Sequence, residues 1–187
     1  MTNLYLVRHA HSIYTPDEMG RPLSKKGLLD AKRITNLLEN EDIHIAISSP
    51  YKRAFQTIEG VAHHFNLDIQ IEFELRERKL SSYPIDDFET AITKVWEDPS
   101  FSLKGGESNE IAQQRGLACI FKILEKHKGK NIVIGTHGNI MVLIMNYFDV
   151  RYDFNFWKNL QMPDIYKLSF EDNNFKSISR VLINEFL

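Results

Sequence analysis

The sequence predicts an α/β fold: a three-layer α/β/α sandwich around a mainly parallel sheet, with a small cap insertion. Short apolar runs alternate with amphipathic helical stretches, as successive strand and helix units of a parallel sheet do. The runs Leu4–Val7 and Ile132–Ile134 are apolar without polar interruption, which suits strands covered on both faces. No repeat, low-complexity tract or Gly/Ser/Pro-rich linker divides the 187 residues, so 1–187 reads as one domain.

The elements follow in order. Leu4–Val7 is the first strand, ending at a polar cluster. Ser24 is placed to cap a helix whose face is Leu28, Ala31, Ile34 and Leu38. Ile43–Ile47 forms a second strand, stopped by Ser48-Ser49-Pro50, and a helix runs from about Lys52 to Phe65. Ile69–Phe73 is a short third strand. Alternation then lapses through Ser81-Ser82-Tyr83-Pro84, a helical stretch over Asp87–Trp96, and Pro99–Gly106, so roughly 81–106 is assigned to the cap. From Ser108 a long helix carries Leu117, Ile120, Phe121 and Leu124 at core-facing spacing. Asn131–Thr136 is the clearest buried strand, followed by a helix over Asn139–Tyr147. Two last strands, Ile165–Phe170 and Phe175–Leu182, flank the turn Glu171-Asp172-Asn173-Asn174.

Composition narrows the function. The formal charge of −2 gives no general attraction to nucleic acid or anionic membrane, so neither is an expected partner. A lone Cys119 permits no intrachain disulfide and reads as core packing. The start lacks the apolar stretch of a signal peptide, and no run approaches the roughly 20 apolar residues of a membrane span. A cytoplasmic location is expected, and oligomeric state is left open.

Ligands of such sheets bind beyond the carboxyl ends of the strands. Arg8, His9, Ala10, His11 and Ser12 follow the first strand, Ser49, Pro50 and then Arg53 the second, and His137, Gly138 and Asn139 the strong later one. Singly, a histidine is ordinarily a structural hydrogen-bonder and an arginine a solvated surface residue. Two of each on one sheet edge form a phosphate cradle, since the planar fork of arginine matches phosphoryl oxygens. The helix opened by Gly138-Asn139 adds N–H groups and a positive dipole end for an anion. One neutral histidine serves as nucleophile toward phosphorus and the other as its electrostatic partner.

Leu6-Val7-Arg8-His9-Ala10-His11-Ser12 resembles the Arg-His-Gly signature of the histidine phosphatase superfamily, which includes the cofactor-dependent phosphoglycerate mutases. Leu23-Ser24-Lys25-Lys26-Gly27, Ser49-Pro50-Tyr51-Lys52-Arg53-Ala54-Phe55-Gln56-Thr57, Glu74-Leu75-Arg76-Glu77, Gly105-Gly106-Glu107-Ser108 and Gly135-Thr136-His137-Gly138 resemble its later segments in the same order. The resemblance implies that His9 attacks phosphorus and becomes phosphohistidine. It implies that Arg8, Arg53 and His137 hold the phosphoryl oxygens and that Glu77 is the acid and then the base, with Glu74 its rival three residues away. Ser12 and Gly138 complete the expected substrate contacts.

Two departures stand out. Ala10 replaces the usual glycine, acceptable where φ stays negative, and Arg78-Lys79-Leu80-Ser81-Ser82-Tyr83 follows the acid in place of an aromatic and glycine-rich stretch. The flanking Arg8 disfavours a cation shared by His9 and His11, so no metal and no cofactor is expected. Ser12 lacks a Gly-x-Ser-x-Gly elbow and is no nucleophile. His63-His64, His44 and His127 read as surface residues, Glu107 either lines the pocket or favours the next helix, and the aromatics from Phe148 to Trp157 cover the sheet edge.

The resemblance therefore implies a metal-independent phosphomonoester phosphatase acting through phosphohistidine on a small phosphorylated metabolite. The alternatives are a cofactor-dependent phosphoglycerate mutase, for which the short cap leaves little room, and a catalytically silent phospho-ligand binding protein.

Overall fold

A computed structural model describes residues 1–181. A six-stranded sheet of order β3-β2-β4-β1-β5-β6 is built from β1 (Thr2–Arg8), β2 (Ile45–Ser48), β3 (Ile69–Ile71), β4 (Asn131–Thr136), β5 (Asp164–Glu171) and β6 (Asn174–Arg180). The first four are mutually parallel, and β5 and β6 add antiparallel to β1. The predicted extension of the last strand to Leu182 lies outside the described residues.

Helices α1 (Lys25–Leu38), α2 (Lys52–His64), α3 (Phe88–Glu97), α4 (Asn109–Lys126), α5 (Gly138–Phe148) and α6 (Phe154–Asn159) complete the layers. The pleat of β1 divides the core: Leu4 and Leu6 join the cluster under α4 and α5, while Tyr5 and Val7 join the one under α1 and α2. The caps fall where their side chains dictate. Ser24 accepts from Gly27 N–H and Ser108 from Ile111 N–H, each satisfying a donor that the first helical turn leaves free. Asp172 and Asn173 carry φ of 49° and 66°, a pair of left-handed residues that suits the right-handed twist of the β5–β6 hairpin. Among the described residues no helix is long and apolar enough to cross a membrane.

Four local expectations are corrected. Leu28 and Phe121 are exposed, so the buried face of α1 is Gly27, Asp30, Ala31, Ile34 and Leu38, and α4 turns Cys119 and Ile123 inward instead of Phe121. The third strand ends at Ile71, and Phe73–Leu75 winds into a 3-10 turn that buries Leu75. The short helix α6 interrupts the aromatic run that sequence reads only as sheet cover. His44 is a structural acceptor, its Nδ1 taking the N–H of Asn131 at 3.2 Å.

The cap segment leaves and rejoins the body at one place. Ser82 N–H donates to Lys104 O at 3.1 Å and Ser82 Oγ to Gly105 O at 2.9 Å, with Gly105 at φ +70°. Those two contacts pin the ends of the cap together, and α3 is its one regular element.

Candidate active site

Register brings the candidate residues together. Arg8 lies opposite Thr136 across β1 and β4, and Ser48 opposite Gly135 across β2 and β4. The next residues extend the ladder, His9 N–H reaching Thr136 O at 3.0 Å and Ser49 N–H reaching Gly135 O at 2.9 Å. His9, Ser49 and His137 thus leave three adjacent parallel strands at one level.

His9 is buried and its neighbours assign its tautomer. Nδ1 lies 2.8 Å from Ala10 O, an oxygen that only accepts, so Nδ1 carries the proton. The Nε2 lone pair accepts from Arg53 Nε at 3.2 Å. Burial, with Arg53 and Arg8 adding repulsion, pushes the His9 pKa down to about 3, which keeps the imidazole neutral at physiological pH. Ala10 has no positive φ, so its methyl is accommodated, and its N–H donates to Thr57 Oγ1 at 3.0 Å.

His137 is fully buried, its ring centroid 5.3 Å from that of His9 and 4.8 Å from that of Tyr51. Ser49 Oγ fixes the ring at 2.7 Å from Nε2. Burial, reinforced by His9, Arg53, Arg115 and Arg8, holds its pKa well below the ordinary histidine value. His137 therefore faces the site as a neutral ring. Its Nδ1 and the Nε of Arg8 are buried without hydrogen-bond partners among the described residues.

Arg8 is fixed from behind, Nη1 donating to Leu160 O at 2.6 Å and Gln161 O at 3.0 Å. It packs against Gly138, where a Cβ would stand 3.1 Å from Arg8 Nε, so the glycine is needed for this close approach. Arg53 is held on its other side by Glu18, which accepts from Nη2 at 2.8 Å through its carboxylate and from Nη1 at 2.9 Å through its carbonyl. Glu18 sits in an irregular loop, and sequence reasoning missed it because no periodicity or motif marks the position.

Glu77 and Glu74 part company. Glu77 shares a cavity of about 630 Å³ with Tyr51, Glu18 and Arg78, beneath Ile85 and Phe88 of the cap. Glu74 pairs with Arg76 and borders a different depression beside Cys119 and Lys122. The Glu77 carboxylate accepts three backbone N–H groups, from Arg78 at 2.8 Å and from Asn139 and Ile140 at 3.0 Å each. The N-terminus of α5, expected to bind substrate phosphate, is thus largely filled by the chain's own carboxylate, an arrangement the helix dipole favours. Glu107 neither lines this cavity nor caps α4. It receives Arg115 at 2.7 and 2.9 Å and Lys79 N–H at 3.1 Å, while Arg115 donates to Arg76 O at 3.1 Å and Glu77 O at 3.4 Å. This clamp positions the segment that presents Glu77.

Ser12 is not drawn into the cradle by any described contact. It forms a backbone bridge to Leu23, and among the described residues its hydroxyl makes no hydrogen bond.

Two guanidinium groups, a neutral imidazole with its lone pair on Nε2 and a carboxylate held at the N-terminus of α5 are a set of groups able to bind a tetrahedral oxyanion. The family model described as histidine phosphatase superfamily (branch 1) matches residues 4–181. Phosphoserine phosphatase 1 of Hydrogenobacter thermophilus is 29% identical over 157 residues, covering 73% of this chain and 71% of that one. A metal-independent phosphoserine phosphatase of Arabidopsis thaliana is 28% identical over 157 residues, covering 75% and 66%. A mycobacterial glucosyl-3-phosphoglycerate phosphatase solved with VO3 superposes with a TM-score of 0.79 at 18% identity, over 95% of this chain and 97% of the other, which shows the common fold. The chain belongs to the histidine phosphatase superfamily.

Proposed function

We propose that this histidine phosphatase is a metal-independent phosphomonoesterase that hydrolyses a small phosphorylated metabolite through phosphohistidine at His9. The carrying observation is the tautomer of His9: Nδ1 bound to Ala10 O and a neutral ring put the lone pair on Nε2, which meets phosphorus as Arg53 Nε turns from it to the phosphoryl oxygens. In the first step Nε2 bonds to phosphorus as the ester P–O bond breaks, and Glu77 delivers a proton to the departing alkoxide. In the second, Glu77 takes a proton from water, whose oxygen bonds to phosphorus as the P–Nε2 bond breaks, releasing inorganic phosphate. Arg8 and Arg53 bind the phosphoryl oxygens, displacing the Glu18 contact from Arg53, with donors from His137, Gly138 and Ser12 as the remaining proposed contacts.

The reading covers 1–187 as one domain, with 81–106 as a cap over the cavity. Its partner is a small molecule, not nucleic acid or membrane, and its place the cytoplasm. The names of the relatives, two phosphoserine phosphatases and a glucosyl-3-phosphoglycerate phosphatase, support a small phosphorylated metabolite. Hydrolysis is preferred over mutase chemistry because the cap holds one helix of 10 residues, a slight lid for an intermediate that must be kept from water.

The test is turnover on 3-phosphoglycerate with catalytic 2,3-bisphosphoglycerate and on phosphoserine, in chelator, with rapid quenching to trap acid-labile phosphate. Phosphate release and label on His9, lost in His9→Ala, are expected. Isomerisation far outrunning phosphate release, or label elsewhere, overturns the reading.

A further inference from the structure

A further cavity shares no lining residue with the one that holds Glu77. It has a volume of about 480 Å³, within the range of small-molecule sites, and lies at the far end of α3. Phe88 of that helix borders the Glu77 cavity and Trp96 this one, a separation of about 12 Å at helical rise.

Its chemistry is one-sided. Glu110 and Asp153 line it, no lysine or arginine does, and neither carboxylate has a cationic partner among the described residues. Glu110 accepts only a long 3.4 Å bond from Gln114, and Asp153 caps α6 through one oxygen, 2.9 Å from Phe156 N–H. Asn109 is 3% exposed, yet its carboxamide makes no hydrogen bond and its Oδ1, an acceptor, is buried without a partner. Unmet buried polar atoms are rare in folded proteins and call for an explanation. Pro99, Gln113, Leu143 and Asn146 complete the lining beside an aromatic side, where Trp96 stacks on Phe154 at 5.6 Å and 18°, and Phe154 in turn on Trp157, outside the lining, at 5.7 Å and 18°. The chain's own Lys158 ammonium sits 4.5 Å from the Phe154 ring centroid, so this cluster already attracts a cation from outside the cavity.

Carboxylates, carboxamide acceptors and π-faces around an enclosure without a positive side chain are what an ammonium needs and an anion avoids. We propose that this cavity binds an organic ammonium ion, its apolar or planar body against Trp96 and Phe154 and its charge met by Glu110, Asp153 and the Asn109 carboxamide. A neutral ring would use the aromatic wall and leave the carboxylates unanswered.

Trp96 and Trp157 are the two tryptophans of the sequence, so fluorescence excited selectively at tryptophan, beyond the absorption of the seven tyrosines, reads this cluster. The full chain is titrated with phenethylammonium and tetramethylammonium, and with 2-phenylethanol, phenylacetate and adenosine. Saturable quenching or shift by phenethylammonium is expected, at least about tenfold tighter than by 2-phenylethanol. Excess vanadate, which occupies the catalytic cradle, leaves that affinity unchanged. The double variant Glu110→Gln, Asp153→Asn keeps both side chains' size and the Asn cap of α6, and is expected to weaken phenethylammonium about tenfold or more, with folding checked by circular dichroism. No saturable response to either amine, equal binding of 2-phenylethanol, tighter binding of phenylacetate or adenosine, competition by vanadate, or unchanged affinity in the double variant overturns the proposal.

Discussion

The neutrality of His9 has a consequence for stability that can be measured apart from catalysis. In the unfolded chain its imidazole titrates near 6.5, whereas in the folded chain burial lowers the pKa to about 3. Between those values the unfolded state binds the extra proton, so His9 lowers stability as pH falls from 6.5 toward 3 and leaves it unaffected above. At pH 4.5 the two-unit gap from 6.5 is worth about 2.7 kcal/mol, against about 0.2 kcal/mol at pH 7, so the loss on acidification is about 2.5 kcal/mol. The structure supplies the cause: the ring is largely buried, and a proton on Nε2 would face the Arg53 Nε donor 3.2 Å away. His9→Gln removes this ionisation while keeping a polar group near Nε2. Urea unfolding of both proteins at pH 7 and 4.5 is expected to show the variant losing about 2–3 kcal/mol less, with the carboxylates contributing alike to both and burial, the larger cause of the His137 shift, retained in the variant. Equal losses in the two proteins would refute the argument.

Two further outcomes follow from the same geometry. Glu77→Gln should slow hydrolysis of alkyl phosphates by about 10²-fold or more while sparing nitrophenyl phosphate, whose leaving group needs no proton, and Glu74→Gln should leave both rates near wild type because Glu74 borders a different depression. Arg115→Met should reproduce part of the Glu77→Gln selectivity by loosening the clamp on the 74–79 segment, read as a fall in kcat on alkyl phosphates greater than that on the nitrophenyl ester; equal falls on both substrates would reduce the clamp to a purely structural role.

Much of this architecture was legible in one dimension because its causes are local. A strand covered on both faces needs an unbroken apolar run, and Leu4–Val7 and Ile132–Ile134 have one; a helix start needs a side-chain acceptor, and Ser24 and Ser108 supply it. Where periodicity alone was the guide it slipped, as at Leu28 and Phe121, since spacing tells which residues share a face but not how wide a stripe the sheet covers. The Arg8-His9, Arg53 and His137 segments could be aligned on one sheet edge because ligands gather beyond strand ends in this class of fold.

What tertiary structure alone decided is how those residues are held. The carbonyl of Ala10 choosing the His9 tautomer follows from the bend after β1, and Ser49 meets His137 because β2 and β4 are neighbours 88 residues apart in sequence. Glu77 filling the N-terminus of α5, Glu18 occupying Arg53 and Glu107 clamping Arg115 all join segments with no shared period or motif. Each is a polar pairing whose energy depends on direction and separation within a fraction of an ångström, and those are set by sheet order, register and packing. Residue types along the chain thus determined which chemistry was available, while the fold determined the tautomer of His9, which carboxylate caps α5, and which donors are already spoken for.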